Sequence, residues 1–414
     1  MKRTIITAVA LLCAATATAQ PGPDDGGKHV LFIGNSYTSV NNLPEMVQKI
    51  AQSAGEKLDY DVNAPGGCTF EQHCMNQSVT LIRQGSWDAV VLQEQSQMPS
   101  FPDAQVANEV FPYAKQLVDS IYANNPCAEP MFYMTWGRKN GDPANAPFFP
   151  PLGSYEGMDS LLDLRYTQMA AANDAALCPV GRVWHRLRDT HPEIDLYQQD
   201  DSHPTTAGTY AAALSFYSIL FRSDPTTTTF SPGLAPNVEV AIKEAVSDVV
   251  YLQLEDLLRP QPKLAVDWID TARHMGESFD VIATNADSLR ADWGDGSDTA
   301  LAASGLISLS HTYADTGDHT ITVVASRHCM ESFCTWTFHA TAKPADTEGI
   351  DNVKQPRIGV DGRRISCQPS FGPLTLYDAA GRLVDRGACS CTAPAAGIYL
   401  LTTGRGQTVR LALP

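Results

Sequence analysis

"HVLFIGNSYTSVNNLP", His29 to Pro44, joins an apolar run to a polar turn and then to a helical pattern. The residues from His29 to Ile33 show no polar alternation, as expected of a strand buried on both faces, and such strands belong mostly to parallel sheets. After the turn, Leu43, Met46, Val47, Ile50 and Ala51 recur at helical spacing, with Asn42 as a cap and Pro44 in the first turn. Ser36 therefore lies between the carboxyl end of a strand and a helix. Open α/β sheets bind their ligands at that edge.

The same alternation continues to residue 222. "LDYDVNA" (58–64) precedes a helix from about Phe70, "DAVVLQ" (88–93) one around Val106 to Tyr122, and "PMFYMTW" (130–136) one from Met158 to Ala176. "PVGRVW" (179–184) reads as the fifth strand, before a helix that follows His203. Five strands separated by helices predict right-handed crossovers and an α/β three-layer sandwich with a five-stranded parallel sheet. An amphipathic helix, Val238 to Leu254, closes this domain, taken as 28–256, and "RPQPK" is a linker. From Lys263 the period shortens to alternating strands such as "SFDVIAT" and "HTITVVAS", which predicts a small β-sandwich over 263–343. A second small β-sandwich follows over 350–414.

The first nineteen residues combine Lys2 and Arg3, an apolar stretch and a small-residue site at Ala17-Thr18-Ala19, the pattern of a secretory signal peptide cut before Gln20. Cys13, preceded by Leu11-Leu12, makes a poor lipobox, and no later stretch is long and apolar enough to span a bilayer. The net charge of −17 becomes two units more negative without the leader, which argues against nucleic acid as a partner. The cysteines after Cys13 read as structural disulfides of an exported protein, with Cys68–Cys74, Cys127–Cys178 and Cys329–Cys334 as local pairs and one of Cys367, Cys389 and Cys391 left over.

A serine hydroxyl becomes a nucleophile only when a positioned base takes its proton. "QQDDSHPTTAG" (198–208) offers His203 just before a helix, with Asp200 three residues earlier and Asp201 as a solvated neighbour. The loop after a fifth parallel strand emerges at the same sheet edge as Ser36. Gly34-Asn35-Ser36-Tyr37 resembles the first block of the SGNH (GDSL-like) hydrolases, with Asn35 where many members carry aspartate, and Asp200-x-x-His203-Pro204 resembles their last block. "APGGCT" (64–69) resembles the second block, its glycine being Gly67, and "VVLQEQS" (90–96) stands where the third block's asparagine is expected, which maps that role onto Gln95. The resemblance covers about residues 29–222. It implies a flavodoxin-like sheet, ester hydrolysis through an acyl-enzyme on Ser36, His203 and Asp200, and an oxyanion hole made by Ser36, Gly67 and Gln95. Strand alternation directs Glu94 away from that hole. No metal or other cofactor is required, and "DDSH" with His73 lacks a recognisable ligand spacing.

Trp136 and Arg138, in "YMTWGRKNGD" (133–142), follow the fourth strand and are candidates to line the mouth of the site, Trp136 either as a platform for a sugar face or as a core tryptophan. The proline-rich loop after them is a candidate wall. "WGDGS" (293–297) with "HTYADTGDHTITV" (311–323) resembles the polycystic kidney disease (PKD) repeat, with Trp293 and Tyr313 as core anchors and Asp292 and Asp295 in a turn better read as solvated than as a calcium site. "LTLYDAAGRLV" (374–384) and "GIYLLTTGRGQTVRLALP" (397–414), with Arg405 and Arg410 near the end, resemble the C-terminal sorting domain of type IX secretion substrates. The sequence thus predicts a secreted or cell-surface serine esterase, exported via the periplasm and acting on acyl, chiefly acetyl, esters of carbohydrate. The alternative is a non-catalytic surface glycan-binding protein built on a degenerate hydrolase domain.

Overall fold

The apolar run that opens the chain's alternating region is an inner strand of a parallel sheet. In the computed structural model the described residues are 27–267, 275–302, 305–341, 359–361, 363–366, 373–378, 381–388, 390–403 and 408–413. The predicted leader with Cys13, and Cys367, Cys389 and Arg405, lie outside them. Strands β1 (Lys28–Ile33), β2 (Leu58–Asn63), β3 (Ala89–Leu92), β4 (Glu129–Tyr133) and β5 (Ala176–Cys178) form one sheet in the order β2-β1-β3-β4-β5, every pair parallel. The register places Ile33 beside both Asn63 and Leu92, Leu92 beside Phe132, and Tyr133 beside Cys178. The strands therefore finish nearly level, and the chain order reverses between β1 and β3, the point at which such sheets bind ligands.

Eleven helices accompany this sheet among the described residues: α1 (Ser36–Ser39), α2 (Leu43–Ser53), α3 (Phe70–His73), α4 (Gln77–Ile82), α5 (Asp103–Glu109), α6 (Phe111–Asn124), α7 (Tyr155–Ala172), α8 (Val180–Thr190), α9 (Thr206–Phe221), α10 (Pro236–Val249) and α11 (Leu254–Leu257). They pack in two groups, α2 with α8, α9 and α10, and α3 to α5 around α6, with α7 beside both α6 and α8. Alternation along the strands serves both: Phe32 and Tyr133 meet Phe216 of α9 edge to face, whereas Phe132 meets Phe70 of α3. Helix α9 is buried from Ala207 to Leu220, which its many alanine, serine and glycine positions permit.

One strand lies earlier in the chain than the sequence pattern predicts. Pro179 to Trp184 is not the fifth strand; "ALC" is, and Val180 opens α8. Val180, Val183, Trp184 and Leu187 are fully buried at helical spacing, and a short window of valines does not separate the two periods. Gly181 lies so close to the end of β4 that a Cβ there would meet the Thr135 carbonyl oxygen at 2.3 Å. The single helix expected around Val106 to Tyr122 is two, broken before Phe111-Pro112, and that expected over Val238 to Leu254 ends at Val249.

The cysteine pairs also differ. Cys68, Cys74, Cys178 and Cys334 are thiols, while Cys127 and Cys329 are each disulfide-bonded. Cys178 ends β5 beside Tyr133, whereas Cys127 precedes β4, about six extended residues or roughly 20 Å away. Cys334 lies inside a strand, about five residues or roughly 16 Å along from the hairpin turn that holds Cys329. The Cys68 sulfur accepts from Asn76, and that of Cys74 faces the Tyr113 carbonyl on α6.

The described residues divide into two compact units, 27–260 and those from 261 onward. In the second, β6 (Lys263–Asp267), β7 (Gly276–Thr284), β8 (Ser288–Asp292), β9 (Asp298–Ala302), β10 (Gly305–Thr312), β11 (Gly317–Arg327) and β12 (Met330–Ala340) form two antiparallel sheets, β10-β7-β6 and β12-β11-β8-β9. Trp293, Phe279, Tyr313 and Phe338 fill the core between them, and the Tyr313 hydroxyl donates to the Trp293 carbonyl at 3.0 Å. Strands β13 (Gly359–Asp361), β14 (Arg364–Ser366), β15 (Leu374–Asp378), β16 (Leu383–Gly387), β17 (Ser390–Thr392), β18 (Gly397–Thr403) and β19 (Thr408–Leu413) form two more antiparallel sheets, β13-β14-β17 and β16-β15-β18-β19, with a separate core around Ile365, Leu376 and Leu401.

Candidate active site

Ser36 begins α1 directly beyond β1, and Asn35 caps that helix by accepting the Tyr37 N–H at 3.2 Å. The turn is tight because Gly34 has no side chain: a Cβ there would meet the Thr38 hydroxyl at 2.3 Å and the Gln93 Oε1 at 2.5 Å. Gln93 Oε1 accepts from the Asn35 N–H and the Thr38 hydroxyl, each at 2.9 Å. Below it, buried His73 places Nε2 2.8 Å from the Gly34 carbonyl and Nδ1 2.8 Å from the Ser78 hydroxyl. Both His73 nitrogens are thus engaged in holding the turn, and burial pushes its pKa down.

His203 does not directly follow the fifth strand. It sits in the loop between α8 and α9, a loop closed by a bridge between Tyr197 and Pro204. Residues from the ends of β1 and β4 hold this loop in place. The Trp136 indole donates to the Ser202 carbonyl at 3.1 Å, the Tyr37 hydroxyl meets that of Ser202 at 2.7 Å, and the Lys139 N–H donates to the Asp201 carbonyl at 2.9 Å. His203 Nε2 thereby comes to 2.9 Å from Ser36 Oγ, across 167 residues of sequence. Its Nδ1 meets Asp200 Oδ2, while Asp200 Oδ1 accepts the His203 and Ser202 N–H groups at 2.9 and 3.1 Å. Burial raises the Asp200 pKa, but these hydrogen bonds and the imidazole outweigh it, and the carboxyl ends below its ordinary value. A neutral ring donating Nδ1–H to Asp200 has its Nε2 lone pair facing the serine proton.

Asp201 points elsewhere. It takes a left-handed backbone, φ 57°, and its carboxylate accepts from the Asn140 amide at 2.8 Å, tying the histidine loop to the loop beyond β4.

Gly67, with φ 67°, is exposed, and no atom stands within 4 Å of where its Cβ would be. Gln95 follows β3, and its amide is turned into its own loop. Oε1 accepts from the Gln97 and Met98 N–H groups at 2.8 and 3.2 Å, and Nε2 donates to Gln97 Oε1 at 3.2 Å and to the Ser96 hydroxyl at 3.4 Å. Glu94, which alternation assigned to the far side, is fully buried. Its Oε1 accepts the Gln95 N–H at 2.6 Å, and both carboxyl oxygens accept the Phe70 N–H at 3.0 and 3.1 Å. Burial pushes its pKa up to about 8 against the pull of those two donors, with Glu71 adding to the rise.

Trp136 is not a sugar platform. It is 1 % exposed, with Tyr37 stacked on it at 4.7 Å and Trp184 at 3.7 Å, so both ring faces are covered. Arg138 keeps a partly exposed guanidinium 3.7 Å from the buried Asp142 carboxylate. Asp142 itself accepts from Gln97 and Asn145, and these bonds with Arg138 lower its pKa despite desolvation. The local sequence gave no sign of the roles of Gln93, Glu94 and His73. The one available signal was a run of polar side chains, Gln93-Glu94-Gln95, immediately after a fully apolar strand.

The Asp200 and His203 side chains retain 47 % and 31 % of their exposure, so the constellation lies open at the sheet edge. Two nearby clefts of about 370 and 560 Å³ border the approach to the histidine loop, at residues 193–197, and contain neither Ser36 nor His203. Hydrogen-bonded geometry, not cavity size, therefore marks the site. In the second unit, Asp292 accepts the Gly294 N–H and Asp295 the Ser297 N–H, each at 2.9 Å, and no group of residues suited to a metal ion occurs among the described residues.

No family model matches the chain, and no curated protein matches it. Among solved structures it is similar to a DUF4886 family protein from Bacteroides uniformis, with 18 % identity and a TM-score of 0.46 over 54 % of this chain and 94 % of that one. It is also similar to a protein described as an SGNH hydrolase from Slackia heliotrinireducens, with 26 % identity and a TM-score of 0.38 over 47 % and 99 %. An acetyl-xylooligosaccharide esterase from Geobacillus is similar at 15 % identity and a TM-score of 0.34 over 46 % and 93 %.

Proposed function

We propose that the protein is a serine ester hydrolase. The observation that carries this reading is the chain of contacts from Ser36 Oγ to His203 Nε2 and from His203 Nδ1 to Asp200. His203 takes the Ser36 proton as Oγ attacks the acyl carbon, and Asp200 stabilises the imidazolium that forms. The oxyanion is received by the N–H groups of Ser36 and Gly67 and by the Gln95 amide, whose Nε2 exchanges its bonds to Ser96 and Gln97 for the substrate. Collapse expels the alcohol with the proton from His203, leaving an acyl ester on Ser36. Water, deprotonated by the same imidazole, attacks that ester and releases the acid.

Substrate class follows from openness. A half-exposed triad suits a small acyl group, chiefly acetyl, on a bulky alcohol such as a polysaccharide, with Arg138 at the rim. The predicted leader, the PKD-like β-sandwich and the terminal β-domain fit a secreted or surface enzyme delivered by type IX export. No helix among the described residues is long and apolar enough to cross a membrane.

The test is hydrolysis of a chromogenic acetyl ester with and without a serine-reactive organophosphonate, followed by peptide mass analysis. Turnover that the phosphonate abolishes, with the adduct on Ser36, is the expected result. An inert protein, or an adduct elsewhere, removes the reading.

A further inference from the structure

Three strand-end loops meet beneath the candidate site: 34–36 after β1, 67–70 after β2 and 93–95 after β3. Two buried side chains join them with opposite polarity. Asn35 is 2 % exposed, and its amide donates to the Cys68 and Glu94 carbonyls at 3.1 and 3.4 Å. Glu94 is 0 % exposed, and its carboxyl accepts the Phe70 and Gln95 N–H groups. Phe70 lies three residues beyond Gly67, and Gln95 is the residue whose amide is assigned to the oxyanion. One carboxyl thus grips the backbone on both sides of the space where the oxyanion forms.

Resting on the serine-hydrolase reading, we propose that Glu94 is a positioning residue that sets the spacing between the Gly67 and Gln95 loops, and with it the width of the oxyanion hole. It touches neither substrate nor Ser36 and acts through Phe70 and Gln95. Desolvation and Glu71 favour its protonated form at neutral pH, in which one carbonyl oxygen, Oε1, serves both N–H donors. Glutamine presents the same oxygen at the same reach. Aspartate withdraws it by one methylene.

The experiment uses the full chain, a chromogenic acetyl ester and hydrogen exchange followed by peptide mass analysis. Glu94→Ala is expected to lower kcat about 10- to 100-fold with KM within about threefold, because the loss falls on the transition state. Glu94→Asp is expected to lose kcat in the same direction, and Glu94→Gln to keep it within about threefold. Exchange at the peptides containing Phe70 and Gln95 is expected to quicken together in Glu94→Ala and to stay unchanged in Glu94→Gln. Should Glu94→Ala fail to fold, the Asp and Gln variants give the same contrast. Full kcat in Glu94→Asp, a loss in Glu94→Gln as deep as in Glu94→Ala, or unaltered exchange at both segments in Glu94→Ala or Glu94→Asp overturns the proposal. Activity that survives Ser36→Ala overturns the hydrolase reading instead, and exchange then still decides whether Glu94 clamps the two loops.

Discussion

Each of the two units holds aspartate–histidine pairs, and one from each bears direct comparison. In the first, Asp200 accepts the N–H groups of Ser202 and His203 and meets the His203 ring, which lies edge to face with Tyr37 at 5.5 Å. In the second, Asp295 accepts the Ser297 N–H and hydroxyl and meets His311 Nε2 at 2.7 Å, with the ring stacked on Trp293 at 4.9 Å. Both carboxyls fall below their ordinary pKa, Asp295 chiefly through Ser297. The pairs differ in what the ring faces. Asp295 and Ser297 both approach the same nitrogen of His311, so that pair closes on its own turn. In the first unit the carboxylate takes Nδ1 and leaves Nε2 for a serine at a strand end. A carboxylate–imidazole pair is a common device for fixing a turn; chemistry requires the second nitrogen to face a hydroxyl.

The contrast is broken most directly by removing the imidazoles. His203→Ala and Ser36→Ala should each lower kcat at least about a thousandfold, since the two act as a unit, with the double variant little worse. His311→Ala should leave kcat unchanged. Steady-state kinetics on a chromogenic ester checks all four, and a comparable loss in His311→Ala would end the distinction.

Removing the carboxylates sharpens it. Asp200→Asn should cost about a hundredfold or more in kcat through loss of the fixed tautomer. Asp201→Asn, whose side chain only holds Asn140, should stay within about threefold. Asp295→Asn should move only the melting of the second unit, by a few degrees at most. Because the pKa values of Asp200 and Asp295 are depressed, their stabilisation is present above the ordinary carboxylate value and is lost as pH falls from there through their lowered values.

Asn35→Asp tests the polarity of the staple. The amide donates to two buried carbonyl oxygens, which a carboxylate cannot do, so the variant should lose about 1–3 kcal/mol of stability in the first unit, read by denaturant unfolding. Unaltered stability with aspartate here would show that these bonds are dispensable. Asparagine at this position thus has a physical reason in this chain.

A pH trend gives a further test. Glu94 has its pKa raised by burial to about 8, so its contribution to stability is fully present below the ordinary value near 4.5 and is lost as pH rises toward 8. The groups facing it are Glu71, Cys68 and Cys74 from the second loop and α3, and Tyr166 from α7; burial pushes both thiols and the phenol upward, Cys74 to about 11. The melting temperature of Glu94→Gln relative to the unaltered protein should therefore climb between pH 5 and pH 8. A flat difference would place the Glu94 titration outside this window.

What the sequence determined by itself is local. The unbroken apolar run from Val30 to Ile33, followed by a polar turn and a helical pattern, reads as a buried strand with Ser36 at its end, and the three-residue spacing of Asp200 and His203 allows one loop to hold both. The alternating period after Lys263 likewise announced antiparallel sheets. Tertiary structure alone decided the rest. It set Nε2 of His203 against Ser36 across 167 residues, turned Pro179 to Trp184 into helix, kept Cys127 from Cys178, and enclosed Trp136 between two rings. It also buried Asn35, His73, Gln93 and Glu94 beneath the site. The reason is that periodicity reports which faces leave water, a property of neighbouring residues. A buried polar side chain is tolerable only through hydrogen-bond partners that packing supplies from distant segments.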